Sequence, residues 1–246
     1  MDTKDTINRS QSNSLTIQKS KQNQPSNSSD ESLQSQYTPQ QIERADKILQ
    51  ILYDLIGEAR CELNYATHFQ LLIAVILSAQ CTDVRVNIVT QKLFQLAPTA
   101  QDLANLDLET ITSCIQSLGF FRHKAQNIQL CARRLVEHFN GIVPSTRQEL
   151  MSLAGVGQKT ANVVLHECFN QPLIAVDTHV FRVSHRLGLS NASTPNGVEE
   201  DLYQIISPQN HFITHHTLLL FGRYHCTSQR PKCGNCLVQS YCNYHP

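Results

Sequence analysis

The stretch Leu153-Ala154-Gly155-Val156-Gly157-Gln158-Lys159-Thr160-Ala161 lies between two segments of helical periodicity. Two glycines within three residues permit positive φ angles and let another part of the backbone approach closely. The loop presents free N–H groups at the start of the second helix, where the helix dipole favours an anion. We interpret Gly155, Val156 and Gly157 as a loop that binds a nucleic-acid phosphate. An ordinary tight turn between helices is the alternative.

Lys159 occupies an unusual position, because a cation in the first turn of a helix opposes the helix dipole by about 0.3–1 kcal/mol. Local rules of this kind are most often broken at functional sites. The same field disfavours the ammonium relative to the free amine, and a free amine is a nucleophile that can form a Schiff base. The residues around Lys159 leave two interpretations open: a catalytic nucleophile, or a solvated lysine that contacts phosphate as a point charge.

Asp177 ends the short apolar run Ile174-Ala175-Val176 and precedes another helical segment. We predict that it is the N-cap of that helix. A carboxylate held rigidly at a helix terminus can also orient a water molecule or stabilise a developing cation. Capping and catalysis are compatible roles for this residue.

Four cysteines near the end of the chain, Cys226, Cys233, Cys236 and Cys242, form a C-x6-C-x2-C-x5-C pattern. Four thiolates can bind tetrahedral zinc or an iron–sulfur cube. Zinc ribbons usually have two closely spaced cysteine pairs, and this segment has one, so the spacing favours iron–sulfur without excluding zinc. We expect the other five cysteines to be core residues; they are Cys61, Cys81, Cys114, Cys131 and Cys168.

The rest of the 246-residue chain predicts a mostly α-helical protein. Thr38, Pro39 and Gln41 form the start of a capped helix, and residues 68–78 are apolar on nearly every side, which is typical of a helix buried within a bundle. The longest apolar run, Leu71–Leu77, is far shorter than the roughly 20 residues that span a bilayer. We therefore expect no membrane association.

Residues 1–37 differ in composition from the rest, since nineteen of them are Ser, Gln or Asn. Such a segment buries too little apolar surface to offset its ordering entropy, so we predict a disordered polar tail. The formal net charge of zero gives no support to nucleic-acid binding, which must depend on local features. Two local basic groups are present: Arg223, Arg230 and Lys232, and the run 122–124 (Arg-His-Lys).

Taken together, these motifs resemble the endonuclease III family, the bacterial iron–sulfur DNA glycosylases of the helix-hairpin-helix superfamily. The resemblance covers residues 42–246 and is carried by LAGVGQKTANVVL (153–165), IAVDTHVFRV (174–183) and the four cysteines, with support from FQLLIAVILSAQCTDVRVN (69–87) and IQSLGFFRHKAQNI (115–128). It implies a bifunctional enzyme of base excision repair that removes oxidised pyrimidines and cleaves the abasic strand by β-elimination. Lys159 matches the catalytic lysine that forms the Schiff base, and Asp177 matches the catalytic aspartate.

The resemblance also implies how the enzyme would bind DNA. Gln80 matches the residue that fills the gap left by the flipped nucleotide, and Phe120 stands at the wedge position, where we expect an aliphatic residue. The four cysteines would hold a 4Fe-4S cluster that positions a loop carrying Arg230 and Lys232.

The implied fold is all-α and has two domains. A six-helix domain over about 60–171 would contain the helix-hairpin-helix at about 146–169, and a cluster domain would combine 38–59 with 172–246. The expected partner is duplex DNA with a damaged pyrimidine or an abasic site. We expect a monomer in the bacterial cytoplasm, associated with the nucleoid through DNA.

Two alternatives to this function remain at the level of sequence. One is a glycosylase of the same superfamily that is specific for pyrimidine dimers or for mismatches. Lys159, and a chain that ends four residues after Cys242, argue against the monofunctional adenine-mismatch enzyme. The more remote alternative is a DNA-binding module without enzymatic activity that holds a structural zinc ion.

Overall fold

A computed structural model describes residues 36–57 and 60–244. Eleven α-helices and three short 3-10 turns make up the regular structure of these residues, and no strand occurs among them. The prediction of an all-α fold is confirmed. All but the last two residues of the predicted polar tail lie outside the described residues.

The helices follow one another with short connections. They are α1 (Pro39–Ile56), α2 (His68–Ser78), α3 (Asp83–Leu96), α4 (Ala100–Asn105), α5 (Leu108–Ile115), α6 (Phe121–Phe139), α7 (Arg147–Met151), α8 (Gln158–Phe169), α9 (Thr178–Arg186), α10 (Pro195–Ile205) and α11 (His211–Tyr224). The 3-10 turns are Pro208–Asn210, Cys233–Asn235 and Gln239–Tyr241. Among the described residues, none of these helices is both long and apolar enough to cross a bilayer.

The start of α1 and the burial of α2 follow from the sequence. The Thr38 side chain accepts a hydrogen bond from the backbone N–H of Gln41, and the Gln41 side chain accepts one from the backbone N–H of Thr38. Helix α2 packs against α3, α6 and α8, and each residue from Phe69 to Leu77 is buried except Gln70. The apolar run therefore forms the centre of a bundle, as its composition predicts.

Buried apolar side chains form two clusters. The first draws on α2 to α8, and the second draws on α1, α9, α10 and α11. Helix α11 packs against α9 and α1 in the second cluster, so the first helix of the described chain joins helices from its other end. This partition is compatible with the predicted domain boundaries at about 60 and 172, and the division into two domains remains a prediction.

The isolated cysteines differ from the prediction in part. Cys114 and Cys131 are buried within helices, as expected, and burial raises the pKa of the Cys131 thiol to about 12. Cys61, Cys81 and Cys168 are only partly buried, and the first two lie in loops. All three pack against the first apolar cluster from its edge, which explains their partial exposure.

Candidate active site and DNA-binding surface

Lys159 is the second residue of α8, and just over half of its side chain is exposed (55%). The loop before it is held close to the bundle, since a Cβ atom at Gly155 (φ 78°) would lie 3.0 Å from Cγ2 of Ile76 and 3.1 Å from Cβ of Asn127. Gly157 has an extended conformation, and a Cβ atom there would meet open space. The two glycines therefore differ: Gly155 is required by the backbone, and Gly157 leaves the helix start uncovered.

Asp177 caps α9, which confirms the N-cap prediction. Its Oδ1 atom accepts hydrogen bonds from the backbone N–H groups of His179 and Val180, both at 2.8 Å. Its Oδ2 atom lies 3.9 Å from Nζ of Lys159, and the side chain is 9% exposed. One oxygen thus fixes the carboxylate, and the other faces the amine.

Both helix starts open into one cleft. Ser78 at the end of α2 and Asp83 at the start of α3 line it on one side, and His215 of α11 lines it on the other. Burial lowers the pKa of His215 well below its ordinary value, and the charges of neighbouring histidines and of Lys159 lower it further. His215 is therefore neutral at pH 7, and it adds no positive charge beside Lys159.

Gln80 and Phe120 share a backbone feature. Both are exposed and both adopt left-handed φ angles, 57° and 56°. Non-glycine residues in this region cost about 1–3 kcal/mol and cluster at functional sites. Phe120 is 67% exposed, which is unusual for a large aromatic side chain. The structure thus presents both residues to solvent, as the proposed roles in DNA require.

The four C-terminal cysteines line a single small cavity together with Leu187, Phe221 and neighbouring residues. Burial raises the pKa of Cys236, and the nearby Cys226, Cys242 and Cys233 contribute to the same direction. Arg186 donates a hydrogen bond to Sγ of Cys226 at 3.3 Å. Four convergent sulfur atoms with a donor beside them fit a thiolate-bound cluster.

Comparison with known proteins identifies the family. The sequence profile described as HhH-GPD superfamily base excision DNA repair protein matches residues 73–208, and that described as iron-sulfur binding domain of endonuclease III matches residues 226–242. Endonuclease III of Haemophilus influenzae is 47% identical over 183 residues, which are 74% of this chain and 87% of that protein. The chain belongs to the endonuclease III family.

Other relatives agree with this assignment. Endonuclease III of Synechocystis is 48% identical over 204 residues, covering 81% of this chain and 92% of that protein. A solved trapped endonuclease III–DNA covalent intermediate is 45% identical, with a TM-score of 0.79, and the match covers 82% of this chain and 95% of that one. A thermostable thymine-DNA glycosylase at 20% identity and a TM-score of 0.73 shares the fold.

Family membership gives the activity and the cofactor, which the residues alone left open. Endonuclease III proteins are DNA glycosylases with AP lyase activity that act in base excision repair, and this chain is a member with that activity. It also carries a 4Fe-4S cluster, and the matching cluster-binding profile spans the segment that contains the four cysteines.

Lys124 does not face DNA, contrary to the sequence-based prediction of a basic cluster at 122–124. It is buried, and its Nζ atom donates to the backbone oxygen of Ala79 at 2.7 Å and to Sγ of Cys81 at 3.1 Å. These two residues flank Gln80, and the backbone N–H of Lys124 donates to the carbonyl oxygen of Phe120. Lys124 therefore joins the turn that holds Gln80 to the turn that holds Phe120.

Arg223 is likewise not available to a phosphate. Its Nη1 atom pairs with Glu62 and, at 2.6 Å, with Oδ2 of Asp83. Burial acts to lower the pKa of Arg223, but the hydrogen bond and charge of Asp83 together with Glu62 outweigh it and raise the pKa. Of the three residues predicted to face DNA in this segment, Arg230 and Lys232 are the exposed ones.

Proposed function

We propose that this protein removes oxidised pyrimidines from duplex DNA and cleaves the abasic strand through a Schiff base on Lys159. The observation that carries the proposal is the pair formed by Nζ of Lys159 and Oδ2 of Asp177, 3.9 Å apart at the wall of a cleft. The amine is exposed to an incoming sugar, and the carboxylate is held in place by its own helix.

The chemistry divides between these two residues. The nitrogen of Lys159 forms a bond to C1′ of the sugar as the bond from C1′ to the damaged base breaks, and Asp177 stabilises the positive charge that develops at C1′. The proton that the amine loses passes through the Asp177 carboxylate to the departing base. A Schiff base between Lys159 and the opened sugar follows. β-Elimination then breaks the 3′ phosphodiester, and hydrolysis of the Schiff base frees the enzyme.

DNA recognition rests on the exposed groups around the cleft. The exposed residues Gly155 and Gly157 bind a phosphate at the start of α8. Val156 is buried and its backbone N–H donates to the carbonyl oxygen of Leu153 at 3.2 Å, so, contrary to the sequence-based prediction, its N–H is not free for the phosphate. Phe120 enters the base stack as a wedge and Gln80 occupies the space that the flipped nucleotide leaves. Unstacking costs less for a damaged base, which favours lesions over intact pyrimidines.

We further propose that Cys226, Cys233, Cys236 and Cys242 hold the 4Fe-4S cluster. Bound there, the cluster fixes the loop that carries Arg230 and Lys232, whose exposed side chains contact the phosphate backbone. The two apolar clusters of the fold then correspond to two domains, with lesion DNA in the cleft between them. We expect a monomer that acts on DNA in the bacterial cytoplasm.

Reductive trapping tests the proposal. Borohydride should link the wild-type enzyme covalently to duplexes that contain an oxidised pyrimidine or an abasic site, and Lys159→Ala should abolish the product. Lys92→Ala removes an exposed lysine of α3 and should trap as wild type does. Trapping that survives in Lys159→Ala would contradict the role of this lysine.

A panel of duplexes tests the substrate class. Each carries one oxidised pyrimidine, one pyrimidine dimer or one adenine mismatch. We expect excision of the oxidised pyrimidines to be fastest. Preferential excision of the dimer or the mismatched adenine would leave the family assignment intact and overturn the substrate proposed here.

A further inference from the structure

A second cavity, of about 440 Å³, adjoins the cleft. His216 of α11 lines both spaces, and His166 and Glu167 of α8 line the second one with Tyr65 and Phe212. None of these residues takes part in the chemistry assigned to Lys159 and Asp177, and the cavity is separate from the one lined by the four cysteines.

Three metal-ligating atoms converge in this cavity. One ligand atom from each of His166, Glu167 and His216 lies within 4.8 Å of the others. Nε2 of His216 is 2.5 Å from Oε1 of Glu167, and Nε2 of His166 is 3.9 Å from the same oxygen. Two imidazole nitrogens and a carboxylate oxygen form the three-ligand set that zinc uses in sites with an open fourth position.

The surroundings favour the ligating forms of His166 and Glu167. Burial lowers the pKa of His166, and the neighbouring His216 lowers it further, so the imidazole is neutral near pH 7. Burial acts to raise the pKa of Glu167, but its hydrogen bond with His216 acts in the opposite direction and the pKa is lowered. Neutral histidine and ionised glutamate are the ligating forms.

The side chains are also held by outer contacts. The Tyr65 hydroxyl donates to Oε2 of Glu167 at 3.4 Å, which leaves Oε1 for the histidines. The His166 ring stacks on Phe212 with ring centroids 4.5 Å apart. Its buried Nδ1 atom has no hydrogen-bond partner, so hydrogen bonding through that atom does not explain why a histidine is buried here.

We propose that this cavity binds a divalent transition-metal ion of the zinc class through Nε2 of His166, Oε1 of Glu167 and Nε2 of His216, with the fourth position open to the cavity. Zinc–ligand bonds of about 2.0–2.2 Å require the distances between the three ligand atoms to change by roughly 1 Å, and rotation of the side chains can produce this change. Helices α8 and α11 contribute to different apolar clusters, so the ion connects the two clusters. Two of its ligands lie on α8, which also carries Lys159.

The first test uses the intact holoenzyme with its iron–sulfur cluster. Zn²⁺ is added in competition with a chelator of known affinity, and the bound ion is examined by X-ray absorption at the zinc edge. We expect one zinc per chain with nitrogen and oxygen neighbours and an unchanged iron content. Sulfur neighbours alone, or no zinc retained against the chelator, would overturn the proposal.

Variants locate the site. Glu167→Gln and His216→Gln should each weaken zinc binding at least about tenfold, since even outer-shell changes cost 10- to 100-fold. Glu137 and His138 form an exposed glutamate–histidine pair on α6, so Glu137→Gln and His138→Gln serve as matched controls with unchanged binding.

Borohydride trapping on an abasic duplex reports whether the Glu167 variant is folded, because Glu167 has no part in that chemistry. A trapping-competent Glu167→Gln that binds zinc as tightly as wild type would refute the assignment. Failure of wild-type trapping would instead contradict the proposed function of Lys159 and leave the metal site to its own test.

Discussion

The helix starts of this enzyme fall into two groups. Eight α-helices begin with a Thr or Asp whose side chain accepts a hydrogen bond from the first turn; these N-caps are Thr38, Thr67, Thr82, Thr99, Asp107, Thr146, Asp177 and Thr194. Helices α6 and α8 have no such bond, and their N-caps are Phe120 and Gly157. Helix α11 also lacks one, but it continues directly from a 3-10 turn.

The difference separates helix starts whose N–H groups are capped by a side chain from those that we propose to contact DNA. A side-chain cap satisfies free N–H groups, and its absence leaves them available to an external anion. Helix α6 begins at the proposed wedge, and helix α8 begins at the proposed phosphate loop. Asp177 differs from the other side-chain caps, since it lines the same cleft as Lys159 and its second oxygen lies 3.9 Å from Nζ of that lysine.

The largest expected effect comes from separating the two roles of Asp177. Asp177→Asn keeps a good N-cap and removes the charge, so turnover should fall by about 10²–10⁴ while thermal stability changes little. Asp177→Ala should lose the same activity and a further 0.5–2 kcal/mol or so of stability. Single-turnover kinetics and thermal unfolding of the holoenzyme measure both. Near-normal turnover in Asp177→Asn would reduce this residue to a cap.

An aspartate N-cap on α8, like the one on α9, should weaken DNA binding. Gly157→Asp fits without a clash, because the added Cβ meets open space. Its carboxylate would occupy the anion position and repel phosphate, so DNA affinity should fall about tenfold, equivalent to about 1.4 kcal/mol. Titration with a labelled abasic duplex measures it.

Gly157→Ser is the matched variant, since it caps without a charge. We expect it to bind DNA more tightly than Gly157→Asp does. Equal affinity in wild type and Gly157→Asp would mean that the start of α8 is an ordinary turn.

Lys124→Met should show how the start of α6 is held without a side-chain cap. The substitution removes the donor shared by Ala79 and Cys81, and the loss of a part-buried hydrogen bond from a charged donor costs about 1.5–3 kcal/mol of stability. Excision of a damaged base should slow several-fold more than cleavage at a preformed abasic site, because only excision requires the base to be flipped out. Lys92→Met, on an exposed residue, should leave both rates unchanged.

The smallest effect concerns His215, which lies at the cleft between the two helix starts. Its pKa is lowered in the folded enzyme, so the unfolded chain binds more protons below pH 6.5, and stability should fall as the pH drops through and below that value. One such group costs up to about 1.4 kcal/mol per pH unit. Denaturant unfolding at several pH values measures the slope, which should be shallower in His215→Asn and unchanged in His138→Asn.

Sequence patterns predicted the helices and several site residues, because these features depend on interactions between residues that are close together in the chain. Helical periodicity located the helices, the residue before α9 identified its cap, and the cysteine spacing indicated one cluster site. The burial of Lys124 could also have been found locally, since it shares the apolar face of α6 with Ala125, Ile128 and Leu135. Its partners could not, because Ala79 and Cys81 lie more than forty positions away in the chain.

Tertiary structure decided the features that join distant segments. It placed Lys159 near Asp177, and it paired Arg223 with Glu62 and Asp83. It also brought His166 and Glu167 close to His216. The sequence by itself determined which residues could ligate, cap or attack. Which of them meet depends on how apolar faces from distant segments pack, since a local pattern shows that a face is apolar but not which other face covers it.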